Sequence, residues 1–200
     1  KDLEAIGITG GEPTLLGERL GAMIQQVKEE LPDTHLQILT NGRAFAWSNF
    51  TKMMSKKYNS NVIFAVPLYS DFPAHHDYIV QSKDAYNQTI LGLHNMARFG
   101  IRIEVRIVLH KQSIERLYEL SKFIYNNLPF VDHIALMGLE YTGYTPFNHD
   151  LLWVDPVEYQ TELEKSVRFL RQNLMNVSIF NLQLCLLPET LWKHSKRSIS

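Results

Sequence analysis

The residue types best suited to chemistry lie near the start of the chain, in the segment Gly10-Gly11-Glu12-Pro13. Two adjacent residues without a Cβ let the backbone approach a ligand closely and leave carbonyl groups free to accept hydrogen bonds. A proline fixes φ where a helix can begin, so Pro13 is typical of a first helical turn. Carbonyl groups beside the Glu12 carboxylate suit a cationic group such as the ammonium of an amino acid. The segment therefore predicts a ligand-binding loop between a strand and a helix, although the same residue types also serve simply to turn a chain.

The composition describes a single globular domain over residues 1–200. The chain has 200 residues, 45% of them hydrophobic, and a formal net charge of −1. This length and hydrophobic content are ample for one core. The near-neutral charge and the scattered Lys and Arg residues argue against a nucleic-acid partner, and no apolar run reaches the length of a membrane span. We expect neither nucleic acid nor a membrane as a partner.

Cysteine content limits the chemistry further, because Cys185 is the single cysteine. One cysteine forms neither an internal disulfide nor a cysteine-built metal or cluster site within the chain. Free cysteine packs readily in cores, so we expect Cys185 to be buried. The 200 residues contain no signal peptide, and we expect a cytoplasmic protein.

Apolar strand-like runs alternate with helical patterns along the chain, which is typical of βα units around a parallel sheet. Strands are predicted at residues 3–9, 35–40, 61–68, 101–109 and 133–139, with a further candidate at 177–180. Helices are predicted at residues 18–30, 48–57, 83–99, 113–127 and 155–174, with Ser113 as the N-cap of the fourth. The predicted fold class is α/β.

The predicted strand at residues 101–109 separates apolar from charged side chains. Ile103, Val105 and Ile107 fall on one face, and Glu104 and Arg106 fall on the other. If the sheet curves into a barrel, the apolar face packs against outer helices and the charged face lines the lumen, where a polar ligand can meet it. An edge strand with one face in water shows the same alternation, so the burial of Glu104 and Arg106 decides between the two.

Residue types suited to binding recur just after the predicted strands. The segments are Gly10-Gly11-Glu12, Thr40-Asn41-Gly42, Tyr69-Ser70-Asp71 with His75-His76-Asp77, His110-Lys111 and Gly138-Leu139-Glu140. In βα barrels, functional groups collect on the loops at the C-terminal ends of the strands. One rim of the barrel is therefore the predicted site.

The order of these motifs resembles that of the radical S-adenosylmethionine enzymes, whose signature is Gly-Gly-Glu-Pro. The resemblance covers the whole chain and implies a partial (β/α)6 barrel of the TIM-like type. More narrowly, residues 66–71, 76–79, 126–131, 135–140 with the Thr-Gly at 142–143, and 181–185 resemble the radical maturase of His-Xaa-Ser repeat peptide systems.

The resemblance implies how the amino-acid end of S-adenosylmethionine would be held. Gly10 and Gly11 would offer carbonyl groups to the methionine ammonium, and Glu12 would support its charge. Arg106 is the candidate for the methionine carboxylate, because a guanidinium pairs with a carboxylate through two parallel hydrogen bonds.

The resemblance also implies contacts to the nucleoside end of the cofactor. Ser70 would bond the ribose, and Met137 and Gly138 would lie along the adenine. Asn41 is a further candidate for cofactor binding, and its alternative is a left-handed turn residue before Gly42.

One family feature is missing from the sequence. The family holds a 4Fe-4S cluster with three cysteines in a Cys-x3-Cys-x2-Cys run after its first strand, upstream of the Gly-Gly-Glu-Pro loop, and this chain has no such run. We interpret the sequence as a fragment that lacks the first βα unit and does not turn over by itself. In the parent enzyme, the family reaction would cleave S-adenosylmethionine reductively to a 5′-deoxyadenosyl radical, which abstracts hydrogen from a substrate. The implied partners are an electron donor and a peptide or small protein that is modified after translation.

Two other classes of function remain open. A metal-dependent (β/α)-barrel hydrolase would draw its ligands and base from His75, His76, Asp77, His110, His133 and Glu140. Against it, the sequence has no His-x-His and no helical His-x3-His spacing. A cofactor-free binding module on the same barrel is the second class. Metal analysis and S-adenosylmethionine binding distinguish them.

Aromatic residues are frequent in the last third of the chain. Tyr141, Tyr144, Trp153 and Trp192 are candidates either for a peptide-binding surface or for core and capping contacts.

Overall fold

The computed structural model describes residues 4–57 and 61–196. Six parallel strands form one sheet in the order β1 to β6, and each strand pairs with the next along the chain. The strands are β1 (Ala5–Ile8), β2 (His35–Leu39), β3 (Val62–Pro67), β4 (Ile103–Leu109), β5 (His133–Gly138) and β6 (Val177–Phe180). The sheet is a curled half-barrel, so the α/β partial-barrel fold is confirmed, as is the further strand at 177–180. The predicted first residue of β1, Leu3, lies outside the described residues.

Helices connect the strands, and the usual right-handed crossover places them on one face of a sheet with this order. They are α1 (Glu18–Glu30), α2 (Ser48–Ser55), α3 (Pro73–Ile79), α4 (Ala85–Arg98), α5 (Lys111–Ile114), α6 (Leu117–Asn127), α7 (His149–Leu152) and α8 (Gln160–Gln172). In the described part of the chain, no helix combines the length and the apolar character needed to cross a bilayer.

The core lies between the sheet and these helices. The strands contribute Leu36, Ile38, Phe64, Val66, Ile103, Val105, Ile107, Ile134, Leu136 and Ile179, all of them buried. The helices contribute Leu20, Ile24, Met54, Leu93, Met96, Leu120, Ile124, Leu163 and Leu170. Each such side chain stabilises the fold by about 1.5–3 kcal/mol relative to exposure in water. The period-two pattern of the strands therefore directs one face to this core and leaves the other for the lumen.

The charged face of β4 is buried, which decides the question left open by the sequence. Glu104 is 4% exposed and Arg106 is 8% exposed. β4 pairs with β3 on one side and β5 on the other, so it is a central strand. The edge-strand alternative is therefore wrong, and both charges face the lumen of the half-barrel.

The helix predicted at residues 113–127 is divided in two, and Ser113 is not its N-cap. Ser113 lies inside the short helix α5, and its hydroxyl donates to the Val108 carbonyl at 2.6 Å. The same oxygen accepts from the His110 amide at 3.0 Å. Ser113 thus holds the turn that ends β4, and the long helix begins only at Leu117.

Two more predicted helices begin later than expected because acidic side chains bind backbone amides ahead of them. The Asp77 carboxylate accepts from the Asp84 amide at 2.6 Å and from the Tyr86 amide at 2.8 Å, and α4 begins at Ala85. Asp155 accepts from the Val157 amide at 2.9 Å and forms a turn, so that α8 begins at Gln160. Asp77 is therefore a turn-capping residue.

Candidate functional site

The loops after β1 and β2 are joined by the Glu12 carboxylate. Its Oε1 accepts from the Thr14 amide at 3.1 Å, from the Thr14 hydroxyl at 2.6 Å and from the Thr40 hydroxyl at 2.5 Å. Its Oε2 accepts from the Asn41 amide at 2.7 Å. Glu12 also caps the short 3-10 helix Pro13–Leu16. Four donors therefore fix this side chain between two loops. Glu12 and Thr40 are 28 residues apart in the chain, so local sequence patterns do not reveal their contact.

Gly10 and Gly11 need their glycine character because of backbone conformation. Their φ angles are +94° and +55°, a region that side chains with a Cβ rarely adopt. A Cβ built at either position meets nothing within 4 Å. The space beside them is open, so any added side chain would project into it.

That space is a cavity of about 410 Å3 at the C-terminal ends of the strands. Its lining includes six of the predicted site residues, Gly10, Gly11, Glu12, Asn41, Arg106 and Met137. A neighbouring cavity of about 570 Å3 shares Arg106 and Met137 and adds Gly138. Together they form one site of the size that proteins use for small ligands. The structure thus brings together seven of the eight predicted residues.

Ser70 is the predicted residue that the structure does not place at this site. Its side chain is fully buried, its hydroxyl accepts from the Phe72 amide at 3.1 Å, and it lines neither cavity. The next residue, Asp71, accepts two hydrogen bonds from Arg116, at 2.8 and 2.7 Å, which hold this loop in place. Tyr69 lines the cavity instead. Contact between Ser70 and a ribose stays a prediction.

Asn41 both lines the cavity and shapes a turn. Its Oδ1 accepts from the Arg43 amide at 2.9 Å. The left-handed residue of the turn is Gly42, with φ of +75°, so the proposed left-handed conformation at Asn41 is wrong. The Asn41 carbonyl accepts from the Thr89 hydroxyl at 3.2 Å, which ties the loop to α4.

Arg106 presents an unused hydrogen-bonding edge to both cavities. Its Nε donates to Glu104 Oε1 at 2.7 Å. Among residues 4–57 and 61–196, its two terminal nitrogens donate to no protein acceptor. A guanidinium donates through pairs of parallel N–H groups, so this edge can bind a carboxylate in the cavity.

The partner of Arg106 lies at the centre of a buried polar network. Glu104 also accepts from Gln37 at 3.0 Å, and its Oε2 lies 2.7 Å from His133 Nδ1. His133 Nε2 in turn lies 3.0 Å from the Ser178 hydroxyl. These side chains come from β2, β4, β5 and β6 and form one layer across the lumen.

The network keeps the Glu104 carboxyl ionised. Burial raises the pKa of this group, but the hydrogen bond from His133 and the charge and hydrogen bond of Arg106 outweigh burial, so the pKa is lowered. An ionised carboxylate only accepts hydrogen bonds, so His133 Nδ1 carries the proton at their contact. A buried guanidinium is unfavourable without a counter-charge, and Glu104 supplies that charge.

The residues named as metal ligands and base of a hydrolase do not form one site. In the described chain, no three His, Cys, Asp or Glu side chains form a group that could hold a metal ion. His133 binds Glu104, whereas Glu140 accepts from Asn181 at 2.8 Å. Burial outweighs the negative charge of Asp77 and lowers the pKa of His76 to about 4. The geometry therefore gives the hydrolase alternative no site.

Cys185 is exposed, so its predicted burial is wrong. It lies in the 3-10 helix Leu184–Leu186 after β6, none of whose three residues is buried. A 4Fe-4S cluster of the family type needs three cysteines, and this chain supplies one. The residues present do not fit that cluster.

Another cavity, of about 670 Å3, lies elsewhere. It is formed by α8, the start of β6 and the 3-10 helix Glu189–His194, and it contains none of the predicted residues. We place the site at the strand ends, because the open glycine loop and the unused guanidinium edge meet only there among the described residues.

No protein-family model matches the sequence, and no curated protein matches it significantly. Solved structures do share its fold. Streptococcus suis SuiB bound to S-adenosylmethionine is similar over 91% of this chain and 38% of its own, with a TM-score of 0.66 and 18% identity. SuiB bound to precursor peptide SuiA covers 91% of this chain and 39% of its own, with a TM-score of 0.67 and 18% identity. Native anSMEcpe with bound AdoMet and Kp18Cys peptide covers 90% and 50%, with a TM-score of 0.67 and 14% identity.

This chain spans half or less of the length of those proteins. The matches show that this chain shares the fold of SuiB and anSMEcpe. The narrower resemblance to the maturases of His-Xaa-Ser peptides stays a prediction.

Proposed function

We propose that this chain is the core of a radical S-adenosylmethionine enzyme and that the cavity at its strand ends binds S-adenosylmethionine. One observation carries the proposal: the unused edge of Arg106 and the Gly10-Gly11 loop line the same cavity. A zwitterionic amino acid needs a cationic donor for its carboxylate and acceptors for its ammonium. The two groups supply both.

Each lining residue then has a definite task. The terminal nitrogens of Arg106 bind the methionine carboxylate, while Glu104 holds Nε and keeps the guanidinium from turning. Carbonyl groups of Gly10 and Gly11 accept from the ammonium. Met137 and Gly138 border the adenine, in the part of the cavity that continues toward β6.

Held in this cavity, the cofactor would supply the hydrogen-abstracting radical of the parent enzyme. The ligands of the 4Fe-4S cluster are not in this chain, so the part of the reaction proposed here is cofactor binding and orientation. We propose that the parent enzyme receives its electron from an electron donor and works in the cytoplasm.

We propose a peptide as the substrate of the parent enzyme. SuiB is described with its precursor peptide SuiA and anSMEcpe with the Kp18Cys peptide, and both share the fold of this chain. The proposed reaction is modification of such a peptide after its synthesis.

Calorimetric titration of S-adenosylmethionine into the chain tests cofactor binding directly. We expect the wild type to bind and Arg106→Gln to lose at least about tenfold in affinity, because one charged hydrogen-bonded contact is worth about 1.5–3 kcal/mol. Arg102→Gln is the matched control, since Arg102 precedes β4 at its other end and pairs with Asp132. A folded wild type that binds no S-adenosylmethionine, or equal affinities for all three proteins, contradicts the proposal.

A further inference from the structure

The segment after β5 exposes large apolar side chains more densely than the rest of the described chain. Five of the 18 exposed large hydrophobic residues fall within residues 141–153. They are Tyr141, Tyr144, Phe147, Leu151 and Trp153, which we call the aromatic rim. Single exposed apolar residues are ordinary on a surface, whereas five in so short a segment mark a candidate interaction site.

Tyr144 and Phe147 form the outer half of the aromatic rim. They are 83% and 84% exposed, and their ring centroids lie 6.4 Å apart. The Phe147 amide donates to the Tyr144 carbonyl at 3.2 Å, and Asn148 Nδ2 donates to the same carbonyl at 3.0 Å. One backbone and one side-chain hydrogen bond thus hold the turn that carries the two nearly bare rings, which lowers the entropy cost of binding a partner there.

Trp153 and Tyr141 form the inner half, together with His149. The rings of His149 and Trp153 stack at 5.7 Å with an interplanar angle of 15°. Tyr141 packs edge-on against both, at 5.8 and 6.2 Å. The Trp153 amide donates to the His149 carbonyl at 2.7 Å, so this half is also fixed in place.

The aromatic rim continues directly into the proposed cofactor site. Thr142 and Thr145, which alternate with the outer rings along the chain, line the cavity of about 570 Å3. Arg106 and Met137 lie in the same lining. An extended peptide advances about 3.3 Å per residue. When one side chain of a bound peptide contacts Tyr144, the neighbouring residues of that peptide are therefore within reach of the cavity.

We propose that the aromatic rim docks a large apolar side chain of the peptide substrate while a neighbouring residue of that peptide enters the cavity. This inference rests on the proposed function, because the cavity is where the chemistry of the parent enzyme takes place. The size of the rim favours a peptide over a second copy of this chain. A stable dimer buries about 800 Å2 per partner over some 20–30 residues, and the rim has five.

Two fluorescein-labelled Gly/Ser peptides test the proposal, one carrying a Phe and a Leu and the other Ser at both positions. Fluorescence anisotropy measures their binding to the wild type and to the double variant Tyr144→Ser/Phe147→Ser. We expect the wild type to bind the apolar peptide about tenfold more tightly than its Ser counterpart and the double variant to bind both equally. Leu174→Ser is the control, because Leu174 is 93% exposed between α8 and β6, at the other end of the strands, and should keep the preference.

If the wild type binds the two peptides equally, the proposed docking surface is contradicted. It is also contradicted if the double variant still prefers the apolar peptide. A wild-type dimer that the double variant converts to monomer in sedimentation velocity assigns the rim to a second copy and also overturns the proposal. Calorimetry with S-adenosylmethionine on the same samples separates the two proposals. Nucleotide binding without peptide preference contradicts the docking surface alone, and peptide preference without nucleotide binding contradicts the proposed function alone.

Discussion

Nε of Arg106 lies 2.7 Å from Oε1 of Glu104, two residues earlier on the same face of β4. Both side chains are almost fully buried, at 9% and 6% exposure of the side chain. The contact uses one edge of the guanidinium and leaves the other toward the cavity. A single ion pair along one strand therefore fixes the Arg106 guanidinium at the edge of the cavity.

Replacing Glu104 by Gln should destabilise the fold by about 1–3 kcal/mol, because a charged hydrogen-bonded partner of buried Arg106 is lost. Urea denaturation monitored by circular dichroism measures the change. Glu158→Gln, at an exposed position, should change the stability by less than about 0.5 kcal/mol. If the two variants were equally stable, the ion pair between Glu104 and Arg106 would not stabilise the fold.

Two buried histidines should make the protein less stable as the pH falls from about 6.5 to about 4. Burial lowers the pKa of His76 from 6.5 to about 4, against the charge of Asp77. Burial and the charge of His75 lower the pKa of His110 from 6.5 to about 4. Between these values the unfolded chain binds more protons than the folded one, so the free energy of unfolding rises with pH by up to about 1.4 kcal/mol per unit for each histidine.

Denaturation at several pH values across that window measures the slope. His76→Gln and His110→Gln should each flatten it, whereas His35→Gln, at an exposed position, should leave it unchanged. A slope unaffected by either buried substitution would contradict this account of acid sensitivity.

Gly10→Val should abolish detectable S-adenosylmethionine binding, because its side chain would occupy the open space of the cavity. The φ of +94° at Gly10 should also make the substitution cost about 1–2 kcal/mol of stability. Gly100→Val is a matched control, since Gly100 has φ of +69° and equally open surroundings after α4. Calorimetry should show normal affinity for the control despite a similar loss of stability. If Gly10→Val bound S-adenosylmethionine with normal affinity, the ligand would not bind beside this loop.

Glu12→Ala should uncouple the loops after β1 and β2. The Asn41 and Thr14 amides lose their acceptor, so amide hydrogen exchange at both should become faster. We expect weaker S-adenosylmethionine binding as well, since both loops line the cavity. Glu29→Ala, an exposed change on α1, should alter neither exchange nor affinity. Unchanged protection at Asn41 in Glu12→Ala would show that the loops hold their positions without this carboxylate.

The strands could be predicted from the sequence because they follow from local periodicity. Alternation at residues 101–109 assigned Glu104 and Arg106 to one face but left open whether that face is buried, and the pairing of β4 with both β3 and β5 decided it. The rim motifs could be placed together for the same reason, since parallel strands end at one edge.

Contacts between distant residues could not be predicted in this way. Glu12 reaches Thr40 across 28 residues, and Ser113 bonds back to β4 instead of starting a helix. Cys185 looked like a core residue by type, but it follows the last strand and lies outside the core. Ser70 matched a family motif, and the sequence did not show that its hydroxyl accepts from the Phe72 amide.

Binding of the methionine carboxylate by Arg106 is tested most directly by comparing S-adenosylmethionine with its decarboxylated analogue in calorimetric titrations. The account predicts that the wild type prefers S-adenosylmethionine by about 10- to 100-fold and that Arg106→Gln binds the two nucleotides with similar affinity. A wild type that binds both nucleotides equally well would contradict it.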